Sequence, residues 1–527
     1  METTVLFTPL SSPMVRMWRL HMPRPTLQDP AGDVDRVLAA LFSENGETQI
    51  KVPLSVIRRT THIIREAGFK VTAVLAEGED CPSLIHLLPG HQTNECLGVA
   101  VDVGTTTVSL YLADIASGAI LDTLAFDNPQ TAYGEDILTR IHFCRNSGGL
   151  DILRDAIVGC INHGIEELAQ NHGVTPTSIY ALSVAGNPTM THLLLGLDPY
   201  HLCREPYAPV VNRPLLLSAK DLELKTCPEA PAYIFPSLGS YFGGDVVAGI
   251  LASGMHKKSG VSLLVDVGTN AEIVVGTSEW LVMCAGAAGP ALESGGAKAG
   301  MRAVSGAIDR VQIDRETLEP SYSVIGGGAP TGVCGSGLID LVAQLFLANI
   351  IDPTGRFRDT SSERIVITRE VKGYALALEK KGEGPRDIIV DELDIRNLLR
   401  GKAAMYTALS LVTERLGLRF GDIETFYVAG SFGEHIDPHS AITIGMLPDI
   451  PFERFKPLGN SAGLGACLML HSFGLRKDVE TIRAKAAYIQ LTTDTEFMNR
   501  LNAAMFIPHT NRELFPSVCR KENIENG

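Results

Sequence analysis

Short, almost continuous apolar runs alternate with helical patterns over most of the chain, which predicts buried sheets layered between helices from Leu97 onward. Asp151 to Asn171 carries apolar residues at helical spacing and ends near Gly173. Asp394 to Leu416 reads as a long amphipathic helix closed by Gly417. Before Leu97 the texture differs. Pro9, Pro13, Pro23, Pro25 and Pro30 crowd the start, and a small α/β pattern follows. It predicts a helix over Asp33 to Ser43, a strand over Gln49 to Val52, a helix over Ser55 to Ala67 ended by Gly68, and a strand over Lys70 to Ala76. The polar stretch Pro89 to Asn94 reads as a linker, so residues 1–96 are expected to form a small separate domain.

The remainder repeats itself. Val101-Asp102-Val103-Gly104-Thr105 recurs letter for letter as Val265-Asp266-Val267-Gly268-Thr269, each copy within a β-branched run. A second pair follows in the same order, Val184-Ala185-Gly186-Asn187 and then Val428-Ala429-Gly430-Ser431. Two matched pairs in one order predict a duplicated α/β lobe, placed at residues 97–260 and 261–527. The run Glu379-Lys380-Lys381-Gly382-Glu383 predicts a solvated turn between strands of an insertion spanning Asp352 to Arg396.

Composition narrows the class. A chain of 527 residues exceeds what one compact core holds, in keeping with several lobes. Forty-five Lys and Arg against 60 Asp and Glu give a net charge of -15, which argues against a nucleic-acid partner. No segment has the apolar length to cross a bilayer, and the start lacks the pattern of a signal peptide, so a cytoplasmic location is expected. Ten cysteines are scattered without a CxxC pair, which predicts small buried hydrophobes rather than ligands.

The repeated motif carries the chemistry. A strand ending in Asp-x-Gly-Thr joins a carboxylate to a tight turn whose backbone N–H groups and hydroxyls can cradle phosphate oxygens. Thr105, Thr106 and Thr107 place three hydroxyls beside Asp102, which is suited to Mg²⁺ directly or through water. Asp266, Gly268, Thr269 and Asn270 offer the same parts from the second lobe. One such motif alone also describes an ordinary hairpin turn; the duplication in register is what favours a nucleotide tail clamped from both sides. Gly430-Ser431-Phe432-Gly433 suits close backbone approach to a nucleoside. Gly335 and Ser336, behind Cys334, open an apolar helix whose amides can face an anion or simply form a cap. Gly459 to Ala466 is a small-residue helix start suited to close packing, and to a hinge.

The order of the Asp102 loop, Val184 to Thr189, the Asp266 loop, Val428 to Gly433 and Gly459 to Ala466 resembles the phosphate 1, connect 1, phosphate 2, adenosine and connect 2 motifs of the superfamily of acetate and sugar kinases, Hsp70 and actin. More closely, VAVDVGTTTVSLYLAD, NPQTAYGEDILTRI, VAGNPTMTHLLLG, GGDVVAGILASGM, GPALESGGAKAGMRA, GVCGSGLIDLVA and VAGSFGEHID are similar to reductive activators of corrinoid proteins. The region before residue 97 resembles their linker and middle domain. The resemblance implies duplicated ribonuclease-H-like lobes around a nucleotide cleft. It also implies ATP with Mg²⁺ on Asp102 and Asp266, phosphates on Thr105 to Thr107 and Gly268 to Asn270, adenosine on Gly430 to Gly433, and a homodimer. The implied function is an ATPase that returns an inactive Co(II) corrinoid, in a methyl-carrying partner protein, to Co(I). Members of that family commonly carry a [2Fe-2S] ferredoxin module, and no cysteine spacing here resembles one. Electrons are therefore expected from a separate ferredoxin or flavodoxin, with no iron-sulfur cluster in this chain; Cys334 is the thiol to examine as a ligand.

Two alternatives use the same fold. One is a small-molecule kinase, which needs a general base at the γ-phosphate and a polar pocket; no further sugar-kinase signature is present. The other is a nucleotide-gated regulator or chaperone of a corrinoid enzyme without a redox role.

Overall fold

The computed structural model describes residues 12–92, 95–268, 271–286, 297–358, 362–368, 371–377, 387–430, 436–490 and 496–519. The first elements are strand β1 (Val15–His21), helices α1 (Asp33–Asn45) and α2 (Leu54–Glu66), and strands β2 (Lys70–Ala76) and β3 (Ser83–Pro89). The three strands pair antiparallel in the order β1-β2-β3, and Leu20, Val37, Leu41, Ile64, Val71 and Leu84 close the core. The strand expected over Gln49 to Val52 does not form. Only Lys51 makes ladder contacts, its N–H to the Pro82 carbonyl at 2.9 Å and its carbonyl from Leu84 N at 2.8 Å. Pro53, which caps α2, has no N–H to extend a ladder. The stretch read as a linker is tied down as far as it is described. Gln92 N donates to Thr72 Oγ1 at 2.9 Å, and His91 Nε2 meets the Leu20 carbonyl at 3.1 Å. Thr93 and Asn94 lie outside the described residues.

The chain divides into two compact units, residues 1–252 with 462–484 and residues 253–461 with 485–527. In the first unit follow β4 (Leu97–Val103), β5 (Thr107–Asp114), β6 (Ile120–Asp127), α3 (Ile137–Phe143), α4 (Gly149–Asn171), β7 (Ile179–Gly186), α5 (Pro188–Leu195), β8 (Leu215–Ser218), β9 (Pro231–Ile234) and α6 (Gly244–Ser253). Its sheet order is β6-β5-β4-β7-β9-β8. β4 is parallel to β7 and β7 to β9, whereas β5 and β6 are antiparallel neighbours.

The second unit contains β10 (Ser262–Val267), β11 (Ala271–Gly276), β12 (Leu281–Gly286), β13 (Ala307–Ile313), β14 (Pro320–Val324), β15 (Gly332–Val333), α7 (Gly335–Leu347), β16 (Ile365–Thr368), β17 (Val371–Ala377), β18 (Ile388–Asp391), α8 (Glu392–Arg415), β19 (Thr425–Ala429), α9 (Pro438–Thr443) and β20 (Phe455–Gly459). Helices α10 (Ser461–His471) and α11 (Arg476–Lys485), strand β21 (Ala486–Tyr488) and helix α12 (Phe497–Ala504) complete the chain. The second large sheet runs β20-β19-β10-β11-β12-β21.

Stripped of one edge strand each, β8 and β21, the two sheets share one plan: three antiparallel strands continued by two parallel ones. The repeats predicted this duplication, and it is the ribonuclease-H-like pair that the resemblance implies. The register agrees to the residue. Val101 and Asp102 lie opposite Val184 and Ala185 in the first lobe, and Val265 and Asp266 opposite Val428 and Ala429 in the second. The repeated strings are therefore neighbouring central strands, apolar on both faces because helices cover them. The helix preceding the fourth strand is also duplicated, as α4 and α8. α8 begins two residues earlier than its apolar pattern indicated, because Asp391 caps Leu393 N and Asp394 N while Asp394 reaches back to Asp391 N. Gly417, at φ 70°, ends it as expected. The strands expected in the insertion are β16, β17 and β18, a three-stranded sheet; Glu379 to Glu383 lie outside the described residues.

Candidate functional site

In the first lobe the motif forms a hairpin. Val103 pairs with Val108, leaving Gly104 to Thr107 as the connection, and Gly104 N donates to the Thr107 carbonyl at 3.0 Å. A Cβ at Gly104 would stand 2.6 Å from that carbonyl oxygen, so only glycine fits this closure. Asp102 is the last residue but one of β4, half-buried among buried neighbours. Two asparagines that the sequence reading did not single out hold the turn. Asn128 donates through Nδ2 to the Gly104 carbonyl at 2.8 Å and through its backbone N–H to the Thr106 carbonyl at 2.8 Å. Asn187 Nδ2 reaches Thr105 Oγ1 at 3.0 Å while its Oδ1 caps Met190 N at the start of α5. Asn187 stands in a legible signal, an Asn between a strand-ending Gly and the Pro that begins a helix.

Gly243 packs against the same strand end, and Gly244 against Phe235 just past β9. A Cβ on Gly243 would lie 2.4 Å from Asn187 Cα and 2.5 Å from the Gly186 carbonyl oxygen. Asp245 follows, in the first turn of α6. Burial pushes its carboxyl from 3.8 up to about 6, against the lowering effect of the backbone N–H groups of Val246 and Gly243. Because the folded-state value is raised, this group's contribution to stability is complete below pH 3.8 and is lost as the pH rises through about 6. Asp245→Asn is therefore expected to raise stability at pH 8 by about 2–3 kcal/mol, and by little at pH 4. Urea midpoints at the two pH values check it; an equal effect at both would refute the assignment. A carboxylate perturbed by burial next to this strand end is a candidate functional group.

In the second lobe Asp266 sits at the matching position. Its Oδ2 accepts from Ser461 Oγ at 3.3 Å, Ser461 being the first residue of α10. Gly430 follows β19 at φ 85° and donates its N–H to the Gly459 carbonyl at 2.9 Å. A Cβ there would stand 2.6 Å from the Val267 carbonyl oxygen and 3.0 Å from Asp266 Oδ1. Carboxylate and glycine thus form one cradle at the carboxyl ends of β10, β19 and β20. Gly430→Ala should destabilise the protein by about 2–3 kcal/mol through left-handed strain and the backbone clash; a thermal midpoint within one degree of wild type would refute this. Gly268 follows β10, whereas Thr269, Asn270, Ser431, Phe432 and Gly433 lie outside the described residues.

Models of three consecutive regions of one family match the chain: the RACo linker region at residues 10–94, the RACo middle region at 97–258, and the C-terminal domain of RACo, the ASKHA domain, at 260–519. The corrinoid activation enzyme RamQ of Eubacterium limosum is 33% identical over 455 residues, 84% of this chain and 75% of that protein. The chain belongs to the RACo family. A solved structure of a reductive activator for corrinoid, iron-sulfur protein superposes with TM-score 0.89 at 37% identity, covering 98% of this chain and 82% of that one. A Co(II) methylated amine-specific corrinoid protein reductase of Methanosarcina barkeri is 22% identical over 438 residues, 76% of this chain and 75% of that protein.

With the RACo assignment made, the ASKHA fold accounts for the duplicated sheets. Each lobe presents one aspartate at the end of its first strand beside a glycine turn. Among the described residues no group of three or more His, Cys, Asp or Glu is arranged to hold a metal ion. An Mg²⁺ that keeps most of its waters and binds phosphates needs only one or two carboxylates, a requirement that a lone strand-end aspartate can meet. The start of α7 is built differently. Ser336 Oγ donates to the Asp309 carbonyl at 3.2 Å, and a Cβ on Gly337 would lie 2.3 Å from the Ile308 carbonyl oxygen. Cys334, 2% exposed, donates its thiol to the Ile308 carbonyl at 3.3 Å. Gly335 and Ser336 thus belong to a helix end clasped onto β13. Among the described residues no helix is long and apolar enough to cross a membrane.

Proposed function

We propose that this chain is an ATPase that activates a corrinoid protein, restoring Co(I) from Co(II) in a methyl-carrying partner. The observation that carries the reading is the placement of Asp102 and Asp266 at one register position in two lobes of an ASKHA fold. Relatives named for corrinoid activation and corrinoid-protein reduction support it. In this reading Asp102 and Asp266 hold Mg²⁺. Gly104, Thr105, Thr106 and Thr107 from one lobe, with Gly268, Thr269 and Asn270 from the other, bind the phosphates. Gly430, Ser431, Phe432 and Gly433 face the adenosine. The backbone N–H groups of Gly335 and Ser336, at the start of α7, add donors for an anion of the bound nucleotide. The metal supplies charge neutralisation at the transferring phosphate; the turns supply oriented N–H and O–H donors.

Reduction of Co(II) to Co(I) takes one electron, which a separate ferredoxin or flavodoxin delivers in this reading. Nucleotide binding helps only through unequal affinity for the two states of the assembly. The working unit is a cytoplasmic homodimer. Residues 1–96 serve as linker and small domain, with lobes at 97–260 and 261–527. The test mixes the protein with a Co(II) corrinoid partner, ATP, Mg²⁺ and an external reductant under anaerobic conditions. Co(I) absorbance should rise with ATP and not without it; no ATP-dependent rise sinks the reading. Iron and labile-sulfide analysis of the anaerobically purified protein should find neither, and stoichiometric iron would overturn the separate electron donor.

A further inference from the structure

Arg140, on α3, is fully buried at 0% exposure. Its Nε donates to the Gly134 carbonyl at 2.8 Å, and one terminal nitrogen makes only long contacts, to Gln130 Oε1 at 3.4 Å and Met190 Sδ at 3.5 Å. The other terminal nitrogen has no partner among the described residues. Nor does any carboxylate there come within ion-pair distance. The nearest in sequence, Asp136, is occupied with Thr139 N at 2.9 Å and Thr139 Oγ1 at 2.8 Å. Burial lowers the guanidinium to about 10, which still leaves it charged at neutral pH. Asp136 acts on it only from beyond ion-pair distance; a buried cation without a contact counter-charge is costly, and an orphaned donor in it calls for an explanation.

The surroundings supply one. Gln130, which accepts from Arg140, donates its backbone N–H to Asn128 Oδ1 at 3.0 Å, and Asn128 holds the Gly104 and Thr106 carbonyls. Met190, the thioether that Arg140 touches, also receives Asn128 Nδ2 at 3.6 Å, and its backbone N–H is capped by Asn187, which holds Thr105. Both asparagines that fix the turn are thus seated on the cluster around Arg140.

We propose that Arg140 is a positioning residue that makes the Gly104–Thr107 turn an anion site, its buried charge, offset only at a distance by Asp136, being more fully balanced when phosphates occupy the turn. The inference rests on the nucleotide reading of that turn and deepens it. Two consequences separate it from a structural role. Removing the charge should cost the empty protein little, because the hydrogen bond lost at the Gly134 carbonyl is offset by relief of a buried charge's desolvation. It should, however, weaken anions selectively.

The experiment compares wild type, Arg140→Met and Arg140→Lys in the full chain by calorimetry and thermal melting, with ATP, inorganic tripolyphosphate and adenosine as probes. For Arg140→Met the ligand-free midpoint is expected little changed, affinity for ATP and tripolyphosphate reduced on the order of tenfold or more, and adenosine affinity unaltered. Arg140→Lys should recover most of the tripolyphosphate affinity. Wild-type-like tripolyphosphate binding by Arg140→Met overturns the inference alone. A collapsed ligand-free midpoint, or adenosine affinity falling in parallel, assigns Arg140 to the scaffold and overturns it as well. Wild type that binds neither ATP nor tripolyphosphate overturns the nucleotide reading itself.

Discussion

Asp266→Asn is expected to lower ATP hydrolysis by about 10²-fold or more, and with it ATP-dependent Co(I) formation, while the protein stays folded. The amide keeps the shape of the carboxylate and an oxygen to accept from Ser461 Oγ, now 3.3 Å away. The residue is half-buried rather than enclosed, so the cost to stability should stay within about 1 kcal/mol. What the amide lacks is the charge that, in the proposed reading, draws a divalent cation to the ends of β10, β19 and β20. Steady-state ADP release across a magnesium titration checks it. A rate constant within about twofold of wild type would remove Asp266 from the metal's ligands. Asp102→Asn tests the matching position in the first lobe by the same assay.

The largest expected effect on stability belongs to Lys402, in the interior of α8. Its side chain is 0% exposed and its Nζ donates to the carbonyls of Phe506 at 2.5 Å and Pro508 at 2.9 Å. Burial pushes its amine well below the ordinary lysine range, yet the charged and neutral amines both retain two N–H donors for these two acceptors. Truncation removes both donors and opens a cavity where the buried side chain reaches the Phe506–Pro508 segment. Lys402→Ala should therefore cost about 3–5 kcal/mol. The urea midpoint should fall, and the segment around Phe506 to His509 should become sensitive to limited proteolysis. A loss below about 1 kcal/mol would mean that water or relaxation replaces the amine.

Much of the lobe plan was legible from residue order. The two identical pentapeptides and the two Val-Ala-Gly strings are a tertiary pairing written twice, because adjacent parallel strands in a buried sheet draw on the same β-branched residues. Long helices were legible to within two residues, their misplaced starts reflecting caps that lie outside the apolar stripe. In the small domain β1 and β3 escaped notice. The strand Val15–His21 interleaves Arg16, Arg19 and His21 with its apolar residues, which blurs its period. Gln49 to Val52 looked like a strand because its residues suit one, but a chain confined between Gly46 and Pro53 has room only for a single bridge at Lys51.

The candidate site divides along the same line. Asp102, Asp266 and their glycine turns are local chemistry: a carboxylate at a strand end and a residue free to take the turn. Sequence alone was sufficient to place each at the end of its strand. Which polar groups gather round those turns was decided only in three dimensions. Asn187 reaches Thr105 across 82 residues, and Ser461 reaches Asp266 across 195. Arg140 is an unremarkable helical arginine until its burial is seen. Periodicity records which face of an element avoids water, and that is set by neighbours a few residues away. The meeting of strand ends and helix starts at one edge of a sheet depends on parallel register between distant segments, which no local pattern encodes.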